Sequence, residues 1–545
     1  MGIPYYFSYL IQNYKNIILN LKNIDNSKFE YLFIDSNSII YDSINFENYE
    51  NDTQFENLLI NNIIKKLEEL IKIYKPNKYT FITFDGVPPF AKINQQKNRR
   101  YKSSYQNSIF NKFAPWDTCS ITPGTKFMDK LNKKITQHFS KNKNILLSLS
   151  DKPGEGEHKL FNYIRSNKCD NSVIYGMDAD LIMLSLNHLK YCENIYLFRE
   201  TPTFIKSLDN SLNPDENYIL NISQLGKQIY KLLSDDVTIK DDTPCWLKEA
   251  STILDNSDNI IESNFYKKIE DYIFICFLLG NDFMPHFPAL NIRINGFNIL
   301  FDLYKELFNN DKTIVNNGEI IWKNFRLYIE KLALQEENFI KQIYNVRNKH
   351  SKRYYPDNTQ QEKENKFNAL PILDRNKEIF INPYEKYWEF RYYYSLFDVN
   401  IDMNETFIPA LCYNFLETLQ WTYYYYTKDC VNWSHYYKYD YPPLLCDLYK
   451  NIPYFNSEIN LIENKTIIHP YLLLSHVLPK KSLKLLPDNI HKYLLNNYEN
   501  HYKEDYEFNY SFCKYFWESH VKFPELNIEE FSNNINKFIE TSKFN

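Results

Sequence analysis

Residues 31–41 read YLFIDSNSIIY, and this stretch sets the expected fold because an apolar strand pattern runs directly into Asp35. Two later strand patterns repeat the design and lead to Asp85 and Asp178. Longer stretches with apolar residues at helical spacing lie between them, which is typical of βαβ units and a parallel sheet. Ligands of open α/β sheets bind outside the carboxyl ends of the strands, so we expect the functional site at these aspartates.

The same patterns place the other elements of the first 200 or so residues. We predict strands at Tyr31–Ile34, Tyr79–Phe84, Asn144–Leu149, Ser172–Met177 and Asn194–Phe198, and helices at Phe55–Tyr74, Lys126–Ser140 and Glu155–Arg165. The predicted fold class is therefore α/β, with a mostly parallel sheet flanked by helices.

Beyond these elements the chain changes character several times. Residues 209–263 are acidic and irregular, which predicts a surface insertion, and Glu270 and Asp271 open an apolar helix. The stretch Arg347–Lys366 has no aliphatic residue and favours a linker or a solvated excursion. Pro383–Leu448 holds 14 Tyr, and the remainder is predicted to be mostly helical.

We divide the chain accordingly into three parts. They are a catalytic domain at 1–310 that contains the insertion, a helical or linker segment at 311–375, and an aromatic-rich, mostly helical region at 376–545 that closes the active site. Most of the aromatic rings are expected to fill space between helices, although aromatic faces also stack on bases.

The composition indicates a folded protein. The chain has 545 residues, of which 44% are hydrophobic and 24% are charged, with a formal net charge of -5. These values exclude global disorder, and they mean that any nucleic-acid site must be local. No apolar run approaches the roughly 18–20 residues of a membrane span, so we expect no membrane association. The excess of Asn, Ile, Lys and Tyr suits an A+T-rich genome, either of a large DNA virus or of a protist.

Seven carboxylates form the strongest candidate site. They are Asp35, Asp85, Glu155, Glu157, Asp178, Asp180 and Asp282. At one sheet edge so many acids repel each other unless cations lie between them, and oxygen ligands favour Mg²⁺ or Mn²⁺. Two such ions about 4 Å apart activate a water and stabilise the leaving oxygen of a phosphodiester. For a single pair such as Asp178 and Asp180, a helix cap beside a solvated acid is the alternative.

A basic run follows the second of these strands. Between Gly86 and Trp116 the chain has six Lys or Arg residues and no acid. Four side chains of the run share one face of a helix by their spacing, namely Lys92, Gln96, Arg99 and Arg100. Such runs are often solvated faces, but the position directly after a strand-end aspartate favours a phosphate pocket.

Several long motifs resemble the Xrn-type 5′→3′ exoribonuclease family, and they cover most of residues 1–300 and 380–450. They are MGIPYYF (1–7), YLFIDSNSIIY (31–41), FDGVPPFAKINQQKNRR (84–100), ITPGTKFM (121–128), DKPGEGEHKL (151–160), IYGMDADLIMLSL (174–186), FLLGNDFMPHFPAL (277–290), Trp388–Phe397 and LQWTYYYY…VNWSHYYKYDYPPL (419–444).

The resemblance implies a PIN/flap-nuclease-like sheet with the aromatic-rich helical region packed on it. It implies that the seven carboxylates are catalytic and bind two Mg²⁺ ions, for which Mn²⁺ substitutes. It also implies a pocket at Lys92, Gln96, Arg99 and Arg100 for the 5′-monophosphate of single-stranded RNA, too small for a cap or a triphosphate. The expected activity is processive release of nucleoside 5′-monophosphates in mRNA decay, by a monomer that works with decapping factors in the cytoplasm, or alternatively in the nucleus.

The sequence departs from the family at the base-stacking positions. Tyr41 stands where the family has His, and Trp433-Ser434-His435 stands where it has two tryptophans. We expect the terminal base to lie between Tyr41 and either Trp433 or His435. The chain is also short for the family, which suggests a minimal catalytic core.

Two other functions remain open at this stage. A structure-specific flap endonuclease shares the acidic sheet, but it typically follows the last aspartate with a Gly-rich helix–hairpin–helix, whereas Asp282 is followed by FMPHFP. A binding or scaffold protein would have kept the fold and lost catalysis, and a missing acid would have been its sign.

Overall fold

The computed structural model of the chain describes residues 3, 5–14, 16–25, 28–199, 201–234, 256–308, 312–455 and 459–542. Within these ranges, no helix is long and apolar enough to cross a membrane. The described residues form one large sheet with helices on both faces, followed by a region that is almost entirely helical.

Seven strands form the main sheet: β1 (Ile18–Asn20), β2 (Tyr31–Asp35), β3 (Tyr79–Thr83), β4 (Ile145–Ser148), β5 (Ser172–Tyr175), β6 (Ile195–Phe198) and β7 (Tyr218–Asn221). Their spatial order is β1-β7-β6-β5-β2-β3-β4. The five strands from β6 to β4 are parallel, whereas β7 pairs antiparallel with both β6 and β1. Two small antiparallel pairs lie outside this sheet: β8 (Val315–Asn316) with β9 (Glu319–Ile320), and β10 (Glu507–Asn509) with β11 (His520–Lys522).

The central strand β2 shows why the apolar run predicts a parallel sheet. Leu32 and Ile34 are buried in the core on one face, and Tyr31 and Phe33 are buried in the core on the other. Strands that are covered on both faces read as continuous apolar runs, because every side chain along them is removed from water.

Among the described residues, the sheet-containing region has ten helices: α1 (Tyr6–Asn13), α2 (Asn37–Asp42), α3 (Asp52–Tyr74), α4 (Phe90–Ile109), α5 (Lys126–Phe139), α6 (Gly156–Asn167), α7 (Asp180–Asn187), α8 (Ile205–Leu208), α9 (Ile222–Ser234) and α10 (Asn256–Cys276). The apolar faces of α3 and α5 cover one side of the sheet, and α6, α7 and α10 cover the other. The helices thus form two layers around the sheet, as the period-3.6 patterns predict.

The rest of the described chain adds twelve helices: α11 (Gly296–Phe308), α12 (Trp322–Ala333), α13 (Glu336–Ser351), α14 (Gln360–Asn368), α15 (Leu370–Leu373), α16 (Asn376–Ile381), α17 (Trp388–Phe397), α18 (Phe407–Thr427), α19 (Leu445–Asn451), α20 (Pro470–Val477), α21 (Asp488–Tyr498) and α22 (Ile528–Thr541). The aromatic helix α18 buries Trp421, Tyr423, Tyr425 and Tyr426 and packs against α7. This arrangement confirms the predicted fold class, with a helical, aromatic-rich region packed on a mostly parallel sheet.

The expectation of an irregular insertion at residues 209–263 is wrong for residues 218–234. Tyr218–Asn221 is a strand of the main sheet, and α9 buries Ile222, Leu225 and Ile229 against it. The acidic residues around this segment hide a short amphipathic pattern that the overall composition does not reveal. Residues 235–255 of the expected insertion lie outside the described residues.

Two further expectations need correction. Glu270 and Asp271 do not open a helix, because α10 begins at Asn256 and both residues lie within it. Asp271 is buried and accepts hydrogen bonds from the backbone N–H groups of Ile314 and Val315, so it fixes the start of β8 rather than the start of a helix. The expected linker Arg347–Lys366 is mostly helical, since α13 continues to Ser351 and α14 begins at Gln360.

Candidate active site

The parallel strands bring three of the candidate acids to one edge of the sheet. Asp35 is the last residue of β2 and is opposite Thr83, the last residue of β3, so Asp85 follows only two residues later on the neighbouring strand. On the other side, β5 pairs with β2 up to Tyr175, and Asp178 follows within three residues. The carboxyl ends of neighbouring parallel strands therefore place these three side chains together, as the sequence predicts.

The start of α6 contributes Glu155 and Glu157 to the same edge. The backbone N–H of Gly156 donates to Asp85 Oδ1 at 2.6 Å, which fixes the start of the helix against β3. A Cβ on residue 156 would lie 2.5 Å from Asp35 Oδ1, closer than side chains tolerate. Only glycine allows the helix to approach the acids so closely, which explains the residue between the two glutamates.

The last two acids come from the start of α7 and from the loop after α10. The chain is no longer extended at Asp178 and Asp180, because Asp180 is already the first residue of α7. Asp282 lies beyond α10 and forms an ion pair with Lys92. Together the seven carboxylates form the acid cluster, which consists of Asp35, Asp85, Glu155, Glu157, Asp178, Asp180 and Asp282.

Burial and mutual repulsion act together on the acid cluster. Burial raises the pKa of Asp35 well above its ordinary value, and the carboxylates of Asp85 and Asp178 raise it further. Burial followed by the charge of Glu155 raises the pKa of Glu157 in the same way. Burial and then the charge of Asp282 raise the pKa of Asp180 to about 7. Burial is the main cause of these three shifts, and neighbouring carboxylates add to it. Despite burial, positive charge that includes Lys92 lowers the pKa of Asp178 and of Asp282.

Lys92, from the first turn of α4, supplies positive charge inside the cluster. Its Nζ lies 2.7 Å from Glu155 Oε2 and 2.8 Å from Asp282 Oδ2. Although burial acts in the opposite direction, these two carboxylates keep the pKa of Lys92 well above its ordinary value. Lys159 is also close by, but its Nζ donates to the carbonyl oxygens of Phe84 and Leu149. Among the lysines of the described residues, Lys92 and Lys159 thus lie beside the seven acids.

The donor set of the acid cluster fits divalent cations. Asp35 Oδ1 and Glu157 Oε2 are buried and have no hydrogen-bond partner among the described residues, so each leaves an oxygen for another ligand. One potential ligand atom from each of Glu155, Glu157 and His158 lies within 4.8 Å of the others. Carboxylate oxygens are the ligands that Mg²⁺ and Mn²⁺ prefer, and cations here would relieve the repulsion.

His158 and two other residues at the site were not singled out from the sequence. The His158 ring stacks on Tyr425 with 3.7 Å between centroids, and Tyr425 donates its hydroxyl to Glu155 Oε1 at 2.8 Å. Asn37 donates to Asp85 Oδ2 and accepts from the Asp85 backbone N–H. Only the position of Asn37, two residues after a strand-end acid, could have suggested its role, because Tyr425 lies far away in the sequence.

The basic run forms α4, but its four candidate residues do not share one environment. Gln96 and Arg100 follow Lys92 at intervals of four and lie buried or half-buried on the same face. Arg100 Nη2 donates to Thr122 Oγ1 at 2.7 Å, whereas Arg100 Nη1 and Gln96 Oε1 have no hydrogen-bond partner within the described ranges. Arg99 is exposed and lines a cavity on another face of the helix. One face of α4 thus carries buried polar atoms that lack partners.

The three candidate stacking residues also differ. Tyr41 is 45% exposed at the end of α2. The ring of His435 is held in place by a contact of 2.9 Å between its Nε2 and Thr418 Oγ1. Burial lowers the pKa of His435 to about 4. Trp433 is half-buried, and its backbone carbonyl accepts from the Phe90 N–H at the start of α4.

A cavity of about 560 Å³ opens beside the acid cluster, and Asp178 and Asp282 form part of its wall. The side of α4 opposite Gln96 and Arg100 also lines it, through Asn94, Asn98 and Lys102. The cavity is large enough for part of a polymeric substrate and gives access to the acids.

Comparison with known proteins gives a consistent result. Residues 1–201 match the family model described as the XRN 5′-3′ exonuclease N-terminus, and residues 262–382 and 374–541 match the Xrn1 helical domain. The 5′-3′ exoribonuclease 1 of Saccharomyces cerevisiae is 26% identical over 89% of this chain and 40% of that protein. The human 5′-3′ exoribonuclease 1 is 26% identical over 96% of this chain, and the chain covers 33% of it. The Drosophila melanogaster 5′-3′ exoribonuclease 2 homolog is 25% identical over 96% of this chain and 69% of that protein.

Proposed function

The chain belongs to the Xrn family of 5′-3′ exonucleases, and from this premise we propose that it is a metal-dependent exoribonuclease that degrades single-stranded RNA from a 5′-monophosphate end. The chain spans two fifths or less of the length of the first relatives named above, so its activity is inferred from its own site. The observation that carries the proposal is the buried acid cluster, in which carboxylates outnumber lysines next to a helix face with unpartnered polar atoms.

We propose that the acid cluster holds two Mg²⁺ ions, with Mn²⁺ as a substitute. When bound, such ions supply a nucleophile at neutral pH and stabilise the leaving oxygen of a phosphodiester. The carboxylates supply oxygen ligands, and Asp35 Oδ1 and Glu157 Oε2 are available because no described residue donates to them. Lys92 holds Glu155 and Asp282 in place and carries positive charge toward the scissile phosphate.

The terminal phosphate is assigned to the Gln96 and Arg100 face of α4. Arg100 Nη1 is a buried donor without a partner in the described structure, and a phosphate oxygen would satisfy it. Because Gln96 is buried and Arg100 is half-buried, this face favours a single phosphate over a triphosphate or a cap. Fixing the terminal phosphate places the first linkage over the acids, so each cycle releases one nucleoside 5′-monophosphate. Arg99, which is exposed, is assigned to the strand rather than to its terminal phosphate.

The terminal base is assigned to the space between Tyr41 and Trp433. His435 is the weaker choice, because its ring is held by Thr418 and lies 6.0 Å from the ring of Trp421. Tyr41 has an exposed aromatic face, and Trp433 is tied by its backbone to the start of α4. Stacking between aromatic rings is tolerant of base identity, which suits an enzyme that removes every nucleotide in turn.

The wider role follows from the chemistry of the substrate. RNA with a 5′-monophosphate is the product of decapping, so decapping factors are the partners that we propose, with mRNA decay in the cytoplasm or the nucleus as the setting. We further propose that the enzyme acts processively as a monomer. In this proposal residues 1–310 are the catalytic domain, 311–375 connect the two regions, and 376–545 close the site over the strand.

The test is nucleotide release from one single-stranded RNA that carries a 5′-monophosphate, a 5′-triphosphate or a 5′-hydroxyl, with Mg²⁺ or with a chelator. We expect mononucleotide release that requires the metal and the monophosphate, and that is lost in Asp178→Ala/Asp180→Ala. Asp402→Ala, which removes an exposed carboxylate that is not part of the cluster, is the matched control. Internal cuts that ignore the 5′ end would indicate an endonuclease, and binding without cleavage would indicate a binding module.

A further inference from the structure

Trp517 lines the cavity beside the acid cluster and stacks on Tyr515, in a part of the chain that the sequence motifs do not reach. The rings of Tyr515 and Trp517 are 4.2 Å apart between centroids and nearly parallel, at 15°. Trp517 lines the cavity and is 43% exposed. A large apolar ring that stays exposed inside a substrate-sized cavity favours a contact with a ligand over core packing.

Positive charge lies against the same rings. The guanidinium carbon of Arg293 is 5.7 Å from the Tyr515 ring and 5.9 Å from the ring of Tyr5, which also lines the cavity. Arg293 Nη2 also pairs with Glu518 Oε1 at 2.9 Å, so part of its charge is balanced by that carboxylate. Lys514 Nζ is 4.9 Å from the Tyr515 ring. Aromatic faces interleaved with Arg and Lys form the surface that binds single-stranded nucleic acid, since the rings stack on bases and the cations neutralise phosphates.

The segment that carries the two rings is held in place before any ligand binds. Lys102 Nζ, from α4, donates to the carbonyl oxygens of Trp517 at 2.6 Å and Ser519 at 2.5 Å. Arg347 Nη1 donates to the carbonyl of Cys513 at 2.8 Å. Little ordering of the segment is therefore required on binding, which favours affinity.

The position of the rings relative to α4 indicates which part of a strand they meet. Lys102 and Asn98 face the cavity, whereas Gln96 and Arg100 are offset from Asn98 by two residues, about 200° around the helix. The face of α4 that is assigned to the phosphate and the cavity thus lie on opposite sides of the helix. The acids that Lys92 contacts lie at the first turn of α4, next to both sides. A strand with its terminal phosphate on the first side continues past the acids into the cavity.

We propose that Tyr515 and Trp517, with Arg293, form a second stacking platform that binds nucleotides beyond the second one, further to the 3′ side of the linkage being cut. The proposal rests on the proposed function and deepens it, because it assigns the downstream strand to a surface separate from the terminal-base site at Tyr41. The platform supplies affinity that grows with strand length, and it leaves the chemistry at the first linkage unchanged.

The experiment compares first-nucleotide release from a 5′-monophosphorylated dinucleotide and a decamer of single-stranded RNA. In Trp517→Ala we expect KM for the decamer to rise about tenfold, in line with the loss of one stacked base, with kcat and the dinucleotide KM within about twofold of wild type. Trp517→Phe should retain most of the affinity, whereas Trp517→Leu, which keeps the apolar bulk without an aromatic face, should behave like Trp517→Ala. Tyr354→Ala removes an aromatic ring that is 83% exposed and does not line the cavity, so it serves as the matched control.

Equal effects on the dinucleotide and the decamer would overturn the platform, and so would an unchanged decamer KM in Trp517→Ala and Trp517→Leu. If the wild-type protein cleaves neither RNA, the proposed function fails by itself. Fluorescence anisotropy with the labelled decamer then decides the platform: about tenfold weaker binding in Trp517→Ala supports it, and equal binding overturns it.

Discussion

Two clusters of buried charged residues in this molecule differ in composition, because carboxylates are in excess in one and guanidinium groups are in excess in the other. In the acid cluster, seven carboxylates face Lys92 and Lys159, and two carboxylate oxygens lack hydrogen-bond partners in the described structure. The second cluster, called the arginine cluster here, consists of Arg347, Arg375 and Glu378. There Glu378 lies 2.5 Å from Arg347 Nη2 and 2.6 Å from Arg375 Nε, and Arg347 also donates to backbone carbonyls.

The difference indicates that the arginine cluster stabilises the fold, whereas the acid cluster serves the proposed function. The arginine cluster joins α13, α16 and the segment near Cys513, and its charges are matched by partners of opposite sign and by backbone groups. Burial is tolerable there because Arg347 and Glu378 are hydrogen-bonded to each other and Arg347 also donates to backbone carbonyls. Arg375 donates its Nε to Glu378, and its Nη2 has no partner among the described residues. In the acid cluster Lys92 pairs with Glu155 and Asp282, but Asp35 Oδ1 and Glu157 Oε2 have no hydrogen-bond partner among the described residues, and this imbalance fits the proposed binding of cations.

The largest effect is expected in the acid cluster itself. Asp180→Asn removes one potential metal ligand without changing the shape of the side chain, so nucleotide release should fall by about 10³-fold or more, equivalent to several kcal/mol at the transition state. The Tm of the metal-free protein should stay equal or rise, because a repulsive charge is lost. Asp402→Asn is the control. Loss of activity together with a large fall in metal-free Tm would assign Asp180 to the fold instead.

The arginine cluster should respond in the opposite sense. Glu378→Gln leaves two buried guanidinium groups without their counter-charge, so the free energy of unfolding should fall by about 3–5 kcal/mol. Denaturant titration measures this, with Glu405→Gln as an exposed control. A change below about 1 kcal/mol would contradict the distinction between the two clusters.

Arg100 is the intermediate case, since one of its terminal nitrogens is bonded to Thr122 and the other lacks a partner in the described structure. Arg100→Gln should raise KM for RNA with a 5′-monophosphate by about 10–100-fold, the value of a charge-assisted hydrogen bond, and should leave RNA with a 5′-hydroxyl nearly unaffected. Arg353→Gln, at an exposed position, should change neither. Equal losses on both RNAs would remove the terminal phosphate from this face.

The smallest effect tests a buried basic group. Lys97 Nζ is 2.9 Å from His501 Nε2, and burial lowers the pKa of Lys97 to about 7. Between pH 7 and about 10.5, the unfolded chain holds a proton on Lys97 that the folded chain lacks, so the free energy of unfolding rises with pH in this window. Lys97→Met should remove this slope and stabilise the protein by about 1 kcal/mol or more at pH 7, with a smaller gain toward pH 10. A gain that does not shrink as pH rises would contradict the assigned cause.

The sequence predicts the sheet edge well because the signal there is local. β2, β3 and β5 are buried on both faces, so each reads as an apolar run that stops near an aspartate. Parallel pairing then forces these ends together without any knowledge of side-chain contacts. The fold class and the family could therefore be predicted from the sequence, and both are confirmed.

Contacts between distant residues are what the sequence could not provide. Arg347 stands in a stretch without aliphatic residues and reads as solvated, yet it is buried because Glu378 lies 31 residues further on. Helical spacing groups Arg99 with Arg100, but it does not specify which neighbour each one meets. Likewise, Trp517 reads as an ordinary aromatic residue until the cavity brings it near Asp178 and Asp282.

The most direct test of the account is a count of bound ions. Mn²⁺ binding followed by electron paramagnetic resonance, with Mg²⁺ competition and Tm measured in parallel, reports ions at the acid cluster. We expect two ions per chain, a rise in Tm with metal, and loss of both in Asp178→Ala/Asp180→Ala, since a ligand that binds only the folded state stabilises it. Absence of bound ions in the wild type, or equal binding in the double variant, would contradict the claim that the unbalanced acids form a metal site.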